Sequence, residues 1–423
     1  MMSNANDMPP QTTATSCLGR IQSLPAWLFA VGMTATPVAL GLANLALLLS
    51  LLMAPLAGRW RERWSNLRQH PVFWAALTLY GVIVLGITYT DAPTSDWLLS
   101  LNKYLKVGAI GVWLPILMTE PRVRKLALWG FALAMTFVLG STWANVWWVL
   151  PWSETQHTGW GVSHHVFGDY ITQNVMMSFF VLLLLIAGQQ TYGWRRWLCW
   201  SLVLPSIVSI THLSQGRTGL VLVATALLVF AVSMPRRKVA FIAVALAPLT
   251  LGLALATSSL MRDRVVQAIG EARQADTDPY SSIGHRLYNQ RTTLAMIADA
   301  PLIGHGTGAY HTRICEYLDR AEDCHIFHWH PHNQYLFFGV NHGLVGVIAY
   351  LGLLAALCVT VWRSESTTWK SLLLGLTALL AVNSLFNSPL WSARESHFFT
   401  LMTALLSAQA WVSRRANAAH ETI

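Results

Sequence analysis

Apolar windows of roughly 17–25 residues recur along almost the whole chain, each long enough to cross a hydrocarbon layer of about 30 Å as a helix. A transmembrane β-barrel instead shows weak alternating segments of about ten residues, and these are absent. Composition agrees: 54% of the 423 residues are hydrophobic and only 11% charged, against about 25% charged in soluble proteins.

The windows predict helical spans near 24–36, 38–56, 72–90, 99–118, 125–150, 170–189, 196–213, 217–234, 238–260, 343–362, 369–386 and 395–412. Residues 24–57 are too long for one span and short for two, and Pro37 divides them. The expected fold class is all-α: a polytopic membrane protein of about 12 transmembrane helices, with both termini on one side. Residues 1–23 are read as an N-terminal tail, 24–260 as spans one to nine, and 261–333 as a large, partly helical outer loop. Residues 334–413 carry spans ten to twelve, and 414–423 a second tail.

Positive charge supports this count. Arg20, Arg59, Arg61, Arg63, Arg68, Arg122, Arg124, Lys125, Arg195, Arg196, Arg236, Arg237, Lys238, Arg363, Lys370, Arg414 and Arg415 are 17 of the 28 Lys and Arg, all on alternate connections or tails. The opposite short loops, such as "TDAPTSDW" (90–97), are acidic or neutral. The net charge of +9 therefore reads as membrane topology rather than nucleic-acid binding. The polar start lacks an apolar core followed by a small-residue cleavage site, so no cleaved signal peptide is expected. Cys315 and Cys324 share the long loop and are open to two readings, a small-loop disulfide or free thiols.

The 261–333 connection is out of proportion to the others and holds seven of the 15 histidines. Loops longer than about 15 residues are usually functional and carry structure of their own. "IGHRLYNQRTTLAMIADAPLIGHGTGAYH" (283–311) predicts an amphipathic helix closed at Ala300-Pro301, followed by a Gly-rich turn. A second outer loop, 151–174, adds His157, His164, His165 and Asp169.

Few cations lie on the outer side outside the long loop. Arg217 in "THLSQGRTGL" (211–220) stands where one span turns tightly into the next. It reads either as an arginine snorkelling to headgroups or as an anion site, where free N–H groups at a helix start meet a bidentate guanidinium. Arg286 and Arg291 lie on neighbouring faces of the loop helix, and either could join Arg217. Arg394 is a further candidate, with Glu395 adjacent and able to neutralise it.

"CHIFHWHPHNQYLFFGVNHGLVG" (324–346) places His325, His328, His330 and His332 within eight residues. Pro331 biases its flanks toward extended backbone, so that His330 and His332 share a face and, with His328, could bind zinc. The spacing is not that of regular zinc motifs and no HExxH helix is present, so neither metal nor another cofactor is expected. Asn333 is a good N-cap for the apolar helix behind it, placing His332 at the helix mouth and the membrane surface. A neutral imidazole there can accept a proton from a hydroxyl.

His332-Asn333, nine residues, then Gly343-x-x-Gly346 resembles the signature of the O-antigen ligase and polymerase superfamily of bacterial envelope enzymes. "QGRTG" (215–219) resembles its Arg-Thr-Gly turn. "GHRLYNQRTTLAMIADAPLIGHGTGAY" (284–310) is similar to its Arg-led helix and Pro-Leu-x-Gly-x-Gly-x-Gly run, with Gln290 where the family's tryptophan stands. The likeness spans about residues 160–400 and implies a metal-independent, inverting glycosyltransferase of the inner membrane, acting on its periplasmic face. The implied donor is an undecaprenyl-pyrophosphate-linked glycan and the implied acceptor a sugar hydroxyl of lipid A-core. The resemblance makes His332 the base and gives Arg217 and a loop arginine, Arg286 or Arg291, the pyrophosphate. Asn333, His330 and Arg394 stand beside them as substrate contacts. Two alternatives remain open: an O-antigen polymerase of the same superfamily and a 12-span secondary transporter. The chain lacks the repeated halves and the long connection after span six that transport predicts.

Overall fold

The computed structural model describes residues 17–234, 248–249, 252–274, 278–319 and 321–421. Among these residues every regular element is helical. α1 (Cys17–Ala35) and α2 (Leu40–Leu52) are separate helices, as Pro37 between them requires. α3 (Trp60–Leu67) is short and polar, and leads to α4 (Pro71–Leu85), α5 (Thr94–Met118) and α6 (Pro121–Ala144). Proline at the first helical position starts α4 and α6, where its missing N–H costs nothing. α7 (Tyr170–Gln190), α8 (Trp194–His212) and α9 (Arg217–Val232) follow. Asp169 caps α7, its Oδ1 accepting from the Thr172 N–H at 2.8 Å.

The span expected at 238–260 falls largely outside the described residues. The long loop holds α10 (Ser259–Arg273), α11 (Ser282–Asp299), α12 (Ala309–Arg313) and α13 (Cys324–Phe327). Cys315 and Cys324 within it are joined by a disulfide. α14 (Gln334–Arg363), α15 (Thr367–Asn383) and α16 (Ala393–Glu421) complete the chain.

Four described helical segments are long and apolar enough to cross a membrane: Pro71–Thr88, Pro121–Ala144, Tyr170–Gln190 and Gln334–Arg363. Leu40–Leu52 and Arg217–Val232 are shorter apolar helices. The molecule is a multi-pass, all-α membrane protein. α7 is largely buried and packs against α8, α9 and α15, while α5 packs between α4 and α16. Outward-facing side chains such as Leu85, Trp129, Leu133 and Trp362 are exposed, as lipid-facing positions are.

Two arginines read above as topology charges have a second role. Arg63 and Arg124 are 5% and 4% exposed. Arg63 donates to the Pro115 carbonyl at 2.8 Å and the Thr119 hydroxyl at 2.8 Å, and Arg124 to the Leu117 carbonyl and to Gln409 Oε1 at 2.6 Å. Both guanidiniums therefore satisfy the free carbonyls at the α5 C-terminus, where the helix dipole also favours cations.

The helix after Asn333 starts earlier than the span expected at 343–362 and breaks inside, at Gly343 (φ 59°, ψ −153°). The break frees carbonyls that the Gly-rich turn uses: His305 N–H donates to Val340 O at 3.0 Å and Gly306 N–H to Asn341 O at 2.8 Å. Leu344 N–H reaches back to Pro301 O at 2.8 Å. Loop and helix are thus locked largely through backbone, and a Cβ at Gly343 would strike the Leu302 backbone. Gly343→Ala is expected to destabilise the protein by about 1–3 kcal/mol through its left-handed backbone. A lowered thermal midpoint in detergent checks this, with Gly352→Ala, in open helix surface, as the control that should lose no stability.

Candidate active site

Asn174 of α7 builds the turn between α8 and α9. Its Nδ2 donates to Ser214 Oγ at 2.8 Å and to the Gly216 carbonyl at 3.5 Å, and a Cβ at Gly216 or Gly219 would fall 2.7 or 2.6 Å from that nitrogen. The close approach explains both glycines and presents Arg217 as the first residue of α9.

Arg217 lines a small polar cavity of about 40 Å³ together with Arg264 of α10 and Arg286 of α11. Tyr170, Gln215 and Thr218 complete much of the wall. Arg264 donates to Gln215 Oε1 across the cavity edge and to Gln267 Oε1 at 3.1 Å. Arg217 Nη2 donates to Glu271 Oε2 at 3.4 Å, whereas its Nη1 is buried without a partner. A buried N–H left unpaired costs about 1–3 kcal/mol, so this donor points to an acceptor that the protein does not supply. Burial lowers the proton affinity of Arg286, and Arg217 beside it adds to the effect, with Tyr170 and Glu271 opposing. A guanidinium remains charged regardless, so the cavity gathers three cations.

Glu271 is the carboxylate paired with Arg217. Its Oε2 also accepts the Ile283 N–H in the first turn of α11 at 3.1 Å, tying α10 to α11. It therefore holds Arg217 in place and partly neutralises it. Glu271→Gln keeps an acceptor for Ile283 and removes the counter-charge. Inorganic pyrophosphate should then bind roughly five-fold more tightly, about 1 kcal/mol, by titration calorimetry. Weaker or unchanged binding would show that the carboxylate is purely structural.

His332 is in the left-handed region (φ 53°), uncommon for a residue other than glycine. Extended backbone was expected on both sides of Pro331, and the structure corrects this: the His332 N–H donates to His330 Nδ1 at 3.1 Å, closing a tight reversal just ahead of the N-cap. Asn333 does cap α14, its Oδ1 accepting from the Leu336 N–H at 3.1 Å. The reversal brings the His330 and His332 ring centroids to 4.3 Å, and His285 of α11 lies 5.6 Å from His332. Asn289, also on α11, donates to the His330 carbonyl at 3.0 Å and accepts from the buried Tyr310 hydroxyl at 2.5 Å. One helix thus supports the histidine turn and supplies Arg286.

His332 Nδ1 is sealed from solvent with no partner. Its proton affinity lies well below that of an ordinary histidine, first through burial and then through His330, Arg286 and His285. Burial chiefly, with His311, His285, Arg286 and Lys103 around it, brings His330 to about 3. Both rings are therefore neutral near pH 7 and able to accept a proton.

Other expected residues lie apart. Arg291 is exposed on α11 and does not line the cavity. Arg394 donates to the Pro37 carbonyl at 2.8 Å and the Phe167 carbonyl at 3.2 Å. Its neighbour Glu395 does not pair with it, being fully buried and accepting from Asn383 and Asn387 at 2.8 and 2.9 Å. His328 turns away from His330 and His332 toward His311 and Trp329, with ring centroids 6.2 and 6.3 Å away. Among the described residues, no three His, Cys, Asp or Glu are grouped to hold a metal ion. Arg264 and Glu271 were missed because in sequence they read as surface charges of an amphipathic helix; only the folding of α10 over α9 brings them to Arg217.

Residues 200–351 match the family described as O-antigen ligase. They belong to that family. The O-antigen ligase match covers the α8–α9 turn with Arg217, the whole loop region with Arg264 and Arg286, and the His332 turn with Gly343 and Gly346. The match covers well under half of the chain, and it is this segment that is similar to the family. No curated protein matches the chain.

Proposed function

We propose that the protein is an O-antigen ligase, transferring a glycan from undecaprenyl pyrophosphate to a sugar hydroxyl of lipid A-core at the outer face of the bacterial inner membrane. The observation that carries the reading is the cavity of Arg217, Arg264 and Arg286 together with the unpartnered Nδ1 of His332, whose ring feels the Arg286 charge. In this reading the chain has about 12 spans, the loop of residues 261–333 is periplasmic, and the carrier's polyprenyl tail stays in lipid.

The chemistry needs charge neutralisation on a diphosphate, a positioned hydroxyl and a base. The arginines take the pyrophosphate, with the free Arg217 Nη1 and the N–H groups opening α9 as donors. The acceptor oxygen attacks the anomeric carbon from the face opposite the pyrophosphate, and its proton passes to His332. The bond from the anomeric carbon to pyrophosphate oxygen breaks, and undecaprenyl pyrophosphate leaves with the electron pair. Direct displacement inverts the anomeric carbon, and the arginines supply the positive charge, so no metal is called for.

The pH dependence follows from His332. A base is active when unprotonated, and its lowered proton affinity keeps it so throughout the neutral range. Activity should hold steady from pH 7.5 to 6 and fall only in stronger acid. Bound pyrophosphate cancels part of the Arg286 field on His332, raising its proton affinity in the complex. The acid limb of kcat should therefore lie at higher pH than that of kcat/KM. Superimposed limbs, or a limb near 6.5 in kcat/KM, would remove His332 as the titrating base.

An O-antigen polymerase uses the same donor and the same arginines and differs in its acceptor. Incubating purified protein with lipid-linked glycan, with and without lipid A-core, separates the two readings. Product only with lipid A-core supports ligase, and elongated carrier glycan in its absence supports polymerase.

A further inference from the structure

A second cluster adjoins His330, whose ring feels His311 and Lys103 as well as Arg286. Lys103 of α5 places its Nζ 5.8 Å from the Trp329 ring centroid and 5.5 Å from that of Trp391. The His311 ring of α12 is 5.1 Å from the Trp391 ring and 6.3 Å from Trp329. α12 packs against α5, so these side chains converge through the fold rather than along the sequence.

Three features mark the cluster as a site. Lys103 has no carboxylate within ion-pair distance among the described residues; Asp96 acts on His311 instead. An unpaired lysine on an apolar bundle helix is costly and usually marks a ligand path. His311 is 9% exposed and its Nε2 has no hydrogen-bond partner, and the same holds for Nε1 of the buried Trp391. Two sealed polar atoms beside one unpaired cation call for a polar ligand. Trp329 is 52% exposed, offering a flat indole face to the C–H face of a sugar ring, with a cation at its edge.

We infer that Lys103, His311, Trp329 and Trp391 form an acceptor subsite for an anionic sugar, one bearing a phosphate or carboxylate, adjoining the hydroxyl that faces His332. Lys103 takes the anion, Trp329 stacks on the ring, and His311 and Trp391 bond its hydroxyls. His330, backed by Asn289, spans the distance between this subsite and the arginine cavity. The inference rests on the transferase reading for the identity of the ligand as acceptor, and not for its binding.

The test is calorimetric binding to the purified full chain in nanodiscs. The probes are a lipid-free phosphorylated core oligosaccharide, the same oligosaccharide after phosphatase treatment, and inorganic phosphate. The phosphorylated form should bind about tenfold more tightly than the dephosphorylated one. Lys103→Gln should abolish that ratio and Lys103→Arg restore it, while Trp329→Ala should weaken both sugars. His332→Ala should leave the ratio unchanged. A ratio that survives Lys103→Gln in a monodisperse protein overturns the subsite, as does inorganic phosphate binding as tightly as the phosphorylated sugar. The two claims fail separately: discrimination without any glycan transfer removes the transferase reading and leaves the subsite standing. Transfer in a protein whose Lys103→Gln variant keeps the ratio removes the subsite alone.

Discussion

His332→Ala is expected to lower the single-turnover rate of glycan transfer by roughly 10²–10⁴-fold, the range for losing a positioned general base. Donor binding should be unchanged, because the arginines proposed to contact the pyrophosphate do not depend on the imidazole. His332 makes one notable backbone contact, its N–H to His330 Nδ1 at 3.1 Å, which alanine retains. The left-handed φ of 53° means that alanine also carries some strain. Asparagine, better tolerated in that region, is the control: His332→Asn should fold as wild type and be equally inactive. A rate within a few-fold of wild type in either variant would take the base away from His332.

Arg217→Met is expected to cost about 10²–10³-fold in kcat, the scale of one oxyanion-stabilising donor removed from a preorganised site. It should also weaken donor binding, since in the proposed mechanism the guanidinium contacts the pyrophosphate in ground and transition states alike. Arg217→Lys keeps charge and loses the fork, so it should recover binding more than rate. Arg286→Met should follow Arg217→Met, and the double variant should fall far short of the product of the two, as for groups acting on one leaving group. Arg291→Met should be near wild type, because Arg291 is exposed and lines no part of the cavity. Equal losses in Arg286→Met and Arg291→Met would mean that the helix, rather than the cavity, carries the effect.

The helices were legible because their signal is local. Asp169, Pro71, Pro121 and Asn333 start helices where capping chemistry puts them, and Pro37 separates α1 from α2. Arg217 and Arg286 were legible as unusual cations near turns, and the structure brings them to one cavity. What the sequence hid is long-range or conformational. Arg264 and Glu271 gain meaning from α10 lying over α9. Lys103 sits on an apolar helix, and its place beside Trp329 and His311 depends on loop packing. The steric bias of an X-Pro pair acts on His330 alone, so it left His332 free to take its left-handed φ, with its N–H held by the His330 side chain. Gly343 looked like one half of a spacing motif, yet its use is a helix break that releases carbonyls to the Gly-rich turn.

The central claim is that the Arg217–Arg264–Arg286 cavity holds the pyrophosphate of a lipid-linked glycan while His332 activates an acceptor hydroxyl. It is tested most directly by single-turnover transfer from a labelled undecaprenyl-pyrophosphate glycan to lipid A-core by purified protein in proteoliposomes. Wild type, His332→Asn and Arg217→Met are compared, with donor binding measured on the same preparations. The expected result is inverted product on lipid A-core for wild type alone, with donor bound normally by His332→Asn and weakly by Arg217→Met. Undiminished transfer by either variant, or retention of the anomeric configuration in the product, would contradict it.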